Sequence, residues 1–174
     1  MADKDTYVEF AMETARDDVA RHRSVFMNAT VIDSQGQMVV IAATNLQTDN
    51  DKQGWFDLIK RKVAERHAQA VVITAPVTRA VYSPEGSEKF KQLLAAGIEL
   101  RIDDACQLGL CEKVDSIMVS LYTPLQTVVH TQDYEYVNGK AVFGEKVRLD
   151  TNQGGSLTGR FTNFFDELAK AKPC

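Results

Sequence analysis

The first part of the chain alternates between apolar and polar positions with the period of a helix. Between Tyr7 and about His22, apolar residues return every three or four positions, which predicts an amphipathic helix with one narrow apolar stripe. Two runs rich in β-branched residues follow, separated by Ser34-Gln35-Gly36, and this arrangement predicts an antiparallel hairpin. The helical stripe consists of Val8, Ala11, Met12, Ala15 and Val19.

The middle of the chain contains two further helical patterns, each followed by an apolar run. The first extends from about Lys52 to His67, and the sequence AVVIT after it predicts a buried strand. The second begins at Ser83-Pro84, a typical N-cap followed by proline at the first helical position. We expect it to end at Gly97, since glycine often terminates a helix. The run IELRI then predicts another strand.

The order strand, helix, strand from Val71 to Ile102 predicts a parallel pair of strands joined by a right-handed crossover. A further continuous apolar strand follows, and Asn138-Gly139 between two alternating segments predicts a second hairpin. We therefore predict an α+β fold with a mixed, mainly antiparallel sheet. It should carry an N-terminal helix, one or two crossover helices and a C-terminal amphipathic helix.

The last part of the chain differs in character from the rest. A polar stretch over residues 150–156 precedes apolar residues at helical spacing. We expect residues 1–150 to form a single domain and residues 151–174 to form a flexible tether with an amphipathic helix. The apolar stripe of that helix is a candidate interface, docking on its own domain or on a second copy. It consists of Phe161, Phe164, Phe165 and Leu168.

The first half of the chain resembles, in pattern, small uncharacterised bacterial α+β proteins in which a DxxG hairpin is followed by a helix and a buried strand. Here the DxxG sequence extends from Asp33 to Gly36, within a run from Val25 to Tyr82. The stretch from Pro84 to Lys113 departs from that pattern. The resemblance implies no activity, so it assigns no catalytic residue to this chain.

Composition and charge exclude several classes of protein. Hydrophobic residues make up 44% of the 174 and charged residues 25%, which indicates an ordered globular chain. The net charge of -4 and the pI of about 5.4 disfavour nucleic acid and anionic membrane surfaces as partners. No apolar run approaches the roughly 20 residues of a membrane span, and the acidic start lacks the pattern of a secretory signal. We expect a cytoplasmic protein.

The three cysteines, Cys106, Cys111 and Cys174, form no CxxC pair, which favours reduced thiols in a reducing compartment. Cys106 and Cys111 could in principle join nearby aspartates and His130 in a metal site. Buried, inert thiols are the preferred interpretation, because free cysteine is among the most buried residue types. We therefore predict no intramolecular disulfide, no metal and no cofactor.

Motifs of the dinucleotide-binding, P-loop, zinc-protease and nucleophile-elbow kinds do not occur in the sequence, so catalytic residues stay unassigned. One loop is a candidate ligand-binding site on physical grounds. It follows the strand AVVIT and enters a helix N-terminus, where free backbone amides favour anions. The candidate anion-binding residues are Arg79, Ser83, Gly86 and Ser87. An ordinary helix cap beside a surface arginine is the alternative.

Two classes of function remain open. We favour a non-enzymatic binding or assembly protein that self-associates, because the sequence lacks a catalytic motif and carries an apolar C-terminal stripe. The alternative is a small hydrolase or nuclease whose Asp, Glu, His and Arg residues come together only in the fold. A deep pocket with convergent polar groups would favour the enzyme, and a large apolar surface patch would favour the assembly protein.

Overall fold

The computed structural model describes residues 4–150, which form four helices and six strands. The helices are α1 (Lys4–His22), α2 (Asp49–Glu65), α3 (Pro84–Ala95) and α4 (Ile102–Gln107). The strands are β1 (Asn28–Ile32), β2 (Met38–Ala42), β3 (Ala70–Tyr82), β4 (Cys111–Tyr122), β5 (Thr127–Val137) and β6 (Lys140–Asp150). The α+β class is thereby confirmed, together with the N-terminal helix.

All six strands belong to one sheet with the order β2-β1-β3-β4-β5-β6, and every neighbouring pair is antiparallel. Among the strands of residues 4–150, β2 and β6 are therefore the edges of the sheet. Both predicted hairpins are confirmed, as β1–β2 and β5–β6. In the second hairpin, Asn138 and Gly139 both have positive φ, which is the backbone that a two-residue type I′ turn requires.

Helices cover both faces of the sheet because side chains alternate along each strand. On β3, Val71 and Ile73 pack on the α2 side, whereas Ala70 and Val72 pack on the α1 side. β2 and β3 both run antiparallel to β1, so they are parallel to each other, and α2 is the crossover helix that joins them. Each large aliphatic side chain buried in these two layers contributes at most about 1.5–3 kcal/mol.

The predicted parallel pair between Val71 and Ile102 is wrong. β3 is 13 residues long and pairs antiparallel with β4 as far as Tyr82. α3 ends at Ala95, Gly97 has the positive φ expected after a helix, and IELRI forms no strand. A ladder along almost the whole of β3 offers more hydrogen bonds than a five-residue strand could. Within residues 4–150 the sheet is therefore antiparallel throughout instead of mixed.

Pro76 lies inside β3, where a proline usually argues against a strand in the interior of a sheet. The pairing of β3 with β1 ends at Thr74, so the rest of β3 pairs with β4 alone. Within residues 4–150 one side of the strand has no partner there, and proline is tolerated at such edge positions of a sheet. Residues 77–82, predicted to be a loop, are therefore part of a strand.

α2 begins three residues earlier than predicted because a capping box fixes its start. The Thr48 hydroxyl accepts a hydrogen bond from the Asp51 backbone N–H at 3.1 Å, and the Asp51 carboxylate accepts one from the Thr48 N–H at 2.8 Å. α3 starts as predicted, with Ser83 as its N-cap. None of the helices within residues 4–150 is long and apolar enough to cross a membrane. The predicted tether and C-terminal helix, residues 151–174, lie outside the described residues.

Candidate functional site

Arg79, predicted to bind an anion from a loop, lies in β3 and is bound to a carboxylate. Its Nε donates to Asp133 Oδ1 at 3.0 Å and to Ser116 Oγ at 3.2 Å, and its Nη2 pairs with Asp133 Oδ2. Burial acts to raise the pKa of Asp133, but the hydrogen bonds from Arg79 and Ser116 hold that pKa below its usual value. The positive charge of Arg79 is thus already balanced within the chain.

The other three candidate anion-binding residues form the start of α3. Ser83 Oγ accepts a hydrogen bond from the Gly86 N–H at 3.0 Å, and the Ser87 N–H donates to the Ser83 carbonyl at 2.8 Å. A Cβ on Gly86 would come within 2.0 Å of the Leu110 carbonyl oxygen, so the backbones of α3 and the segment before β4 are in close contact. The loop is a helix cap packed against its neighbour.

The structure separates Arg79 from the α3 terminus. Ala80 and Tyr82 pack in the cluster that Leu93 and Ala105 join, so their side of β3 faces α3 and α4. Side chains alternate along a strand, and Arg79 therefore points to the opposite face. Anion binding at the α3 N-terminus stays a prediction, and Arg79 is not placed to assist it.

His130 in β5 is 6% exposed, and neither of its ring nitrogens has a hydrogen-bond partner. Burial lowers the pKa of this imidazole, and the nearby Lys146 and Arg148 lower it further. The charge of Glu9 raises the pKa of His130, but the Glu9 carboxylate is paired with Lys146. Burial and the two cations both favour the neutral form of the imidazole. Within residues 4–150 no group of three or more His, Cys, Asp or Glu is arranged to hold a metal ion.

Cys106 in α4 and Cys111 at the start of β4 are free thiols, and their sulfur atoms are 2.7 Å apart. Cys111 is buried, while Cys106 is partly exposed. The sequence indicated neither this contact nor the difference in exposure, because both depend on the turn between α4 and β4. The predicted interface residues lie outside the described part of the chain: Phe161, Phe164, Phe165 and Leu168.

An apolar groove lies between α1 and the β1–β2 edge of the sheet. It has a volume of about 140 Å³, and Tyr7 and Phe10 line its α1 side. Met38 and Val40 line its other side, on β2. Phe10 is 63% exposed, Met38 51% and Val40 65%. Three large apolar side chains therefore surround the groove with most of their surface in water.

The two edges of the sheet differ sharply in charge. Residues 34–48, which contain β2, include no charged residue, although a quarter of the chain is charged. β6 carries five charged residues in eleven positions: Lys140, Glu145, Lys146, Arg148 and Asp150. Charges on an edge strand oppose pairing with another chain, so β6 is protected and β2 is not. The uncharged run is the sequence signal that would have identified the β2 edge.

Comparison with known proteins assigns no family. No protein-family model matches the chain, and no solved structure matches it significantly. Among curated proteins, the highly reducing polyketide synthase GPY1 of Gibberella fujikuroi is 29% identical over 108 residues. That match covers 57% of this chain and 4% of the synthase. The chain is thus similar to a very small part of a much longer enzyme, and no residue role comes from the match.

Proposed function

We propose that this protein is a non-enzymatic assembly protein that binds a second copy of itself through the β2 edge. The observation that carries this proposal is the uncharged, exposed β2 edge, where Met38 and Val40 lie beside Phe10 across an apolar groove. We place the assembly in the cytoplasm, because three cysteines without a CxxC pair suit a reducing compartment.

Edge strands present unpaired backbone N–H and C=O groups, which bind readily to another strand. A two-fold symmetric dimer brings the same surface of both copies together, so any net charge on that surface would repel itself. The β2 segment avoids this repulsion because residues 34–48 are uncharged. A second copy of the chain is therefore the occupant that the edge fits best, with its own β2 paired antiparallel to the first.

β2 has five residues, too few to hold a dimer by itself. A stable interface buries roughly 800 Å² on each partner. The exposed face of α1 has to contribute the remainder, and Phe10 stands at the position where it would meet the second copy. Apolar side chains of the partner can then enter the groove between Phe10 and Val40. The gain is hydrophobic, about 25 cal/mol for each Å² removed from water.

No observation within residues 4–150 favours the hydrolase or nuclease alternative. Asp133 accepts a hydrogen bond from the Ser116 hydroxyl, but its carboxylate is already bound to Arg79. His130 is buried, and neither nitrogen of its imidazole has a hydrogen-bond partner. The groove is lined mostly by apolar side chains, without a convergent set of titratable groups. These features support binding instead of acid–base chemistry.

The test is the mass of the protein in solution, measured by light scattering over a concentration series. We expect the unchanged chain to be a dimer and Val40→Lys to be a monomer, because Val40 is the middle residue of β2 and lysines there would bring two like charges close together when two β2 strands pair. Val142→Lys is the matched control, since Val142 is 46% exposed on the β6 edge. It should remain a dimer. A monomeric unchanged chain, or equal effects of the two lysines, would overturn the proposal.

A further inference from the structure

Two cysteines from different elements meet at one end of the sheet. Cys106 lies in the last turn of α4 and Cys111 is the first residue of β4. Gly109 between them has a φ of 69°, and the Leu110 N–H donates to the Ala105 carbonyl at 3.0 Å. The backbone therefore turns back on itself, and this turn holds the two sulfur atoms 2.7 Å apart.

We propose that Cys106 and Cys111 form a redox-active dithiol that exchanges with small disulfides such as oxidised glutathione. This inference is independent of the proposed dimer. The sequence favoured inert thiols because free cysteine is among the most buried residue types. The fold instead places two thiols in contact and leaves one of them within reach of solvent.

The exchange takes place in two balanced steps. The thiolate of Cys106, the more exposed sulfur, attacks one sulfur of the small disulfide. A mixed disulfide forms and one glutathione thiolate leaves, taking up a proton. Cys111 then attacks the sulfur of Cys106, loses its own proton and releases the second glutathione as a thiol. The protein dithiol is oxidised by two electrons, and oxidised glutathione is reduced to two thiols.

The surroundings of Cys106 predict how the rate depends on pH. The hydrogen bond with Cys111 and burial raise the pKa of Cys106 to about 11, although the ammonium of Lys113 acts in the opposite direction. Thiolate is the attacking species, so the reaction should accelerate continuously between pH 7 and pH 9. Lys113 is itself paired with Asp103, which weakens its influence on the thiol.

The fold should make the disulfide easier to form than the unfolded chain does. Only four residues separate the two cysteines. In an unfolded chain their sulfur atoms still meet only part of the time, whereas α4, the turn and β4 hold them together. We expect the folded protein to become oxidised at a ratio of reduced to oxidised glutathione about tenfold higher than the unfolded chain requires.

The experiment is a redox titration of the full chain carrying Cys174→Ser, which removes the third thiol. Samples are equilibrated with glutathione mixtures of different ratio, with and without urea, and quenched in acid. Digestion with trypsin after Arg101 and Lys113 then yields one peptide, IDDACQLGLCEK, which contains both cysteines. The intramolecular disulfide appears as the same peptide two hydrogen masses lighter. Attached glutathione would appear as a much heavier peptide.

We expect the lighter peptide to dominate in the folded samples and its midpoint to shift by about tenfold in urea. The added variant Cys111→Ser should stop at the mixed disulfide on Cys106. Three results would each overturn the proposal: thiols that stay reduced in the folded chain at every ratio, identical midpoints with and without urea, or mixed disulfides as the final product in the Cys174→Ser protein.

Discussion

The side chains of Arg79 and Asp133 form an ion pair that spans three adjacent strands. Arg79 extends from β3, Asp133 from β5, and Ser116 on the intervening β4 contacts both. The three residues come from separate positions in the sequence. They meet only because β3, β4 and β5 are neighbours in the sheet. Because the side chains of Arg79 and Asp133 are 40% and 33% exposed, solvent reduces what the pair contributes to stability.

We predict that Asp133→Asn lowers the free energy of unfolding by about 1 kcal/mol at pH 7, since it removes a charged acceptor of three hydrogen bonds, two from Arg79 and one from Ser116. Urea denaturation measures this. The matched control is Asp17→Asn, which breaks the exposed pair of Asp17 with Arg21 on α1, and its effect should be near zero. The lowered pKa of Asp133 means that its contribution is present above the unfolded value, near 3.8, and is lost as the pH falls through the folded pKa. Equal losses in the two variants would contradict this account.

The buried His130 predicts a loss of stability in mild acid. Its folded pKa is lowered from 6.5, so below about pH 6.5 the unfolded chain binds the proton more readily than the folded chain does. Stability should therefore fall as the pH is lowered from 7.5 to 5.5. This pH range lies above the usual pKa values of carboxyl groups, so their titration contributes little to the change. The groups that face His130 are Lys146, Arg148, Glu9 and Asp5.

His130→Gln should reduce this pH dependence, measured as the difference in free energy of unfolding between the two pH values. His22→Gln, at an exposed position on α1, serves as the control and should leave the difference unchanged. The two variants are compared in the same urea titrations. If His130→Gln kept the full pH dependence, the buried imidazole would not be its origin.

Gly86 is predicted to tolerate no larger side chain. In Gly86→Ala the added Cβ would lie 2.0 Å from the Leu110 carbonyl oxygen, and backbone on both sides has to move to relieve the clash. We expect a loss of about 1–3 kcal/mol in stability, as for other overpacked sites. Gly54→Ala is the matched control, because its Cβ would meet no atom within 4 Å in α2. That variant should gain roughly 0.5–1 kcal/mol, and thermal or urea unfolding that ranked the two in the reverse order would refute the prediction.

Local signals in the sequence predicted much of the secondary structure. Ser83 caps α3, and Asn138-Gly139 forms the turn between β5 and β6, as expected from the residues alone. These features depend on hydrogen bonds and φ preferences within a few residues, so no distant partner can easily change them. The end of β3 was different, since a loop was predicted after the run AVVIT, whereas β3 continues to Tyr82 by pairing with β4.

The sequence by itself determined the α+β class, the first three helices and the two hairpins, because periodicity, caps and turns act over short distances. Tertiary structure alone decided that Arg79 meets Asp133, that Cys106 touches Cys111 and that β2 lies at an edge beside Phe10. Each of these depends on which strands become neighbours or on how a turn packs. The physical reason is that each strand can pair with several others, and the pairing that forms depends on all strands of the chain together. A short segment of sequence therefore does not determine which strands become neighbours.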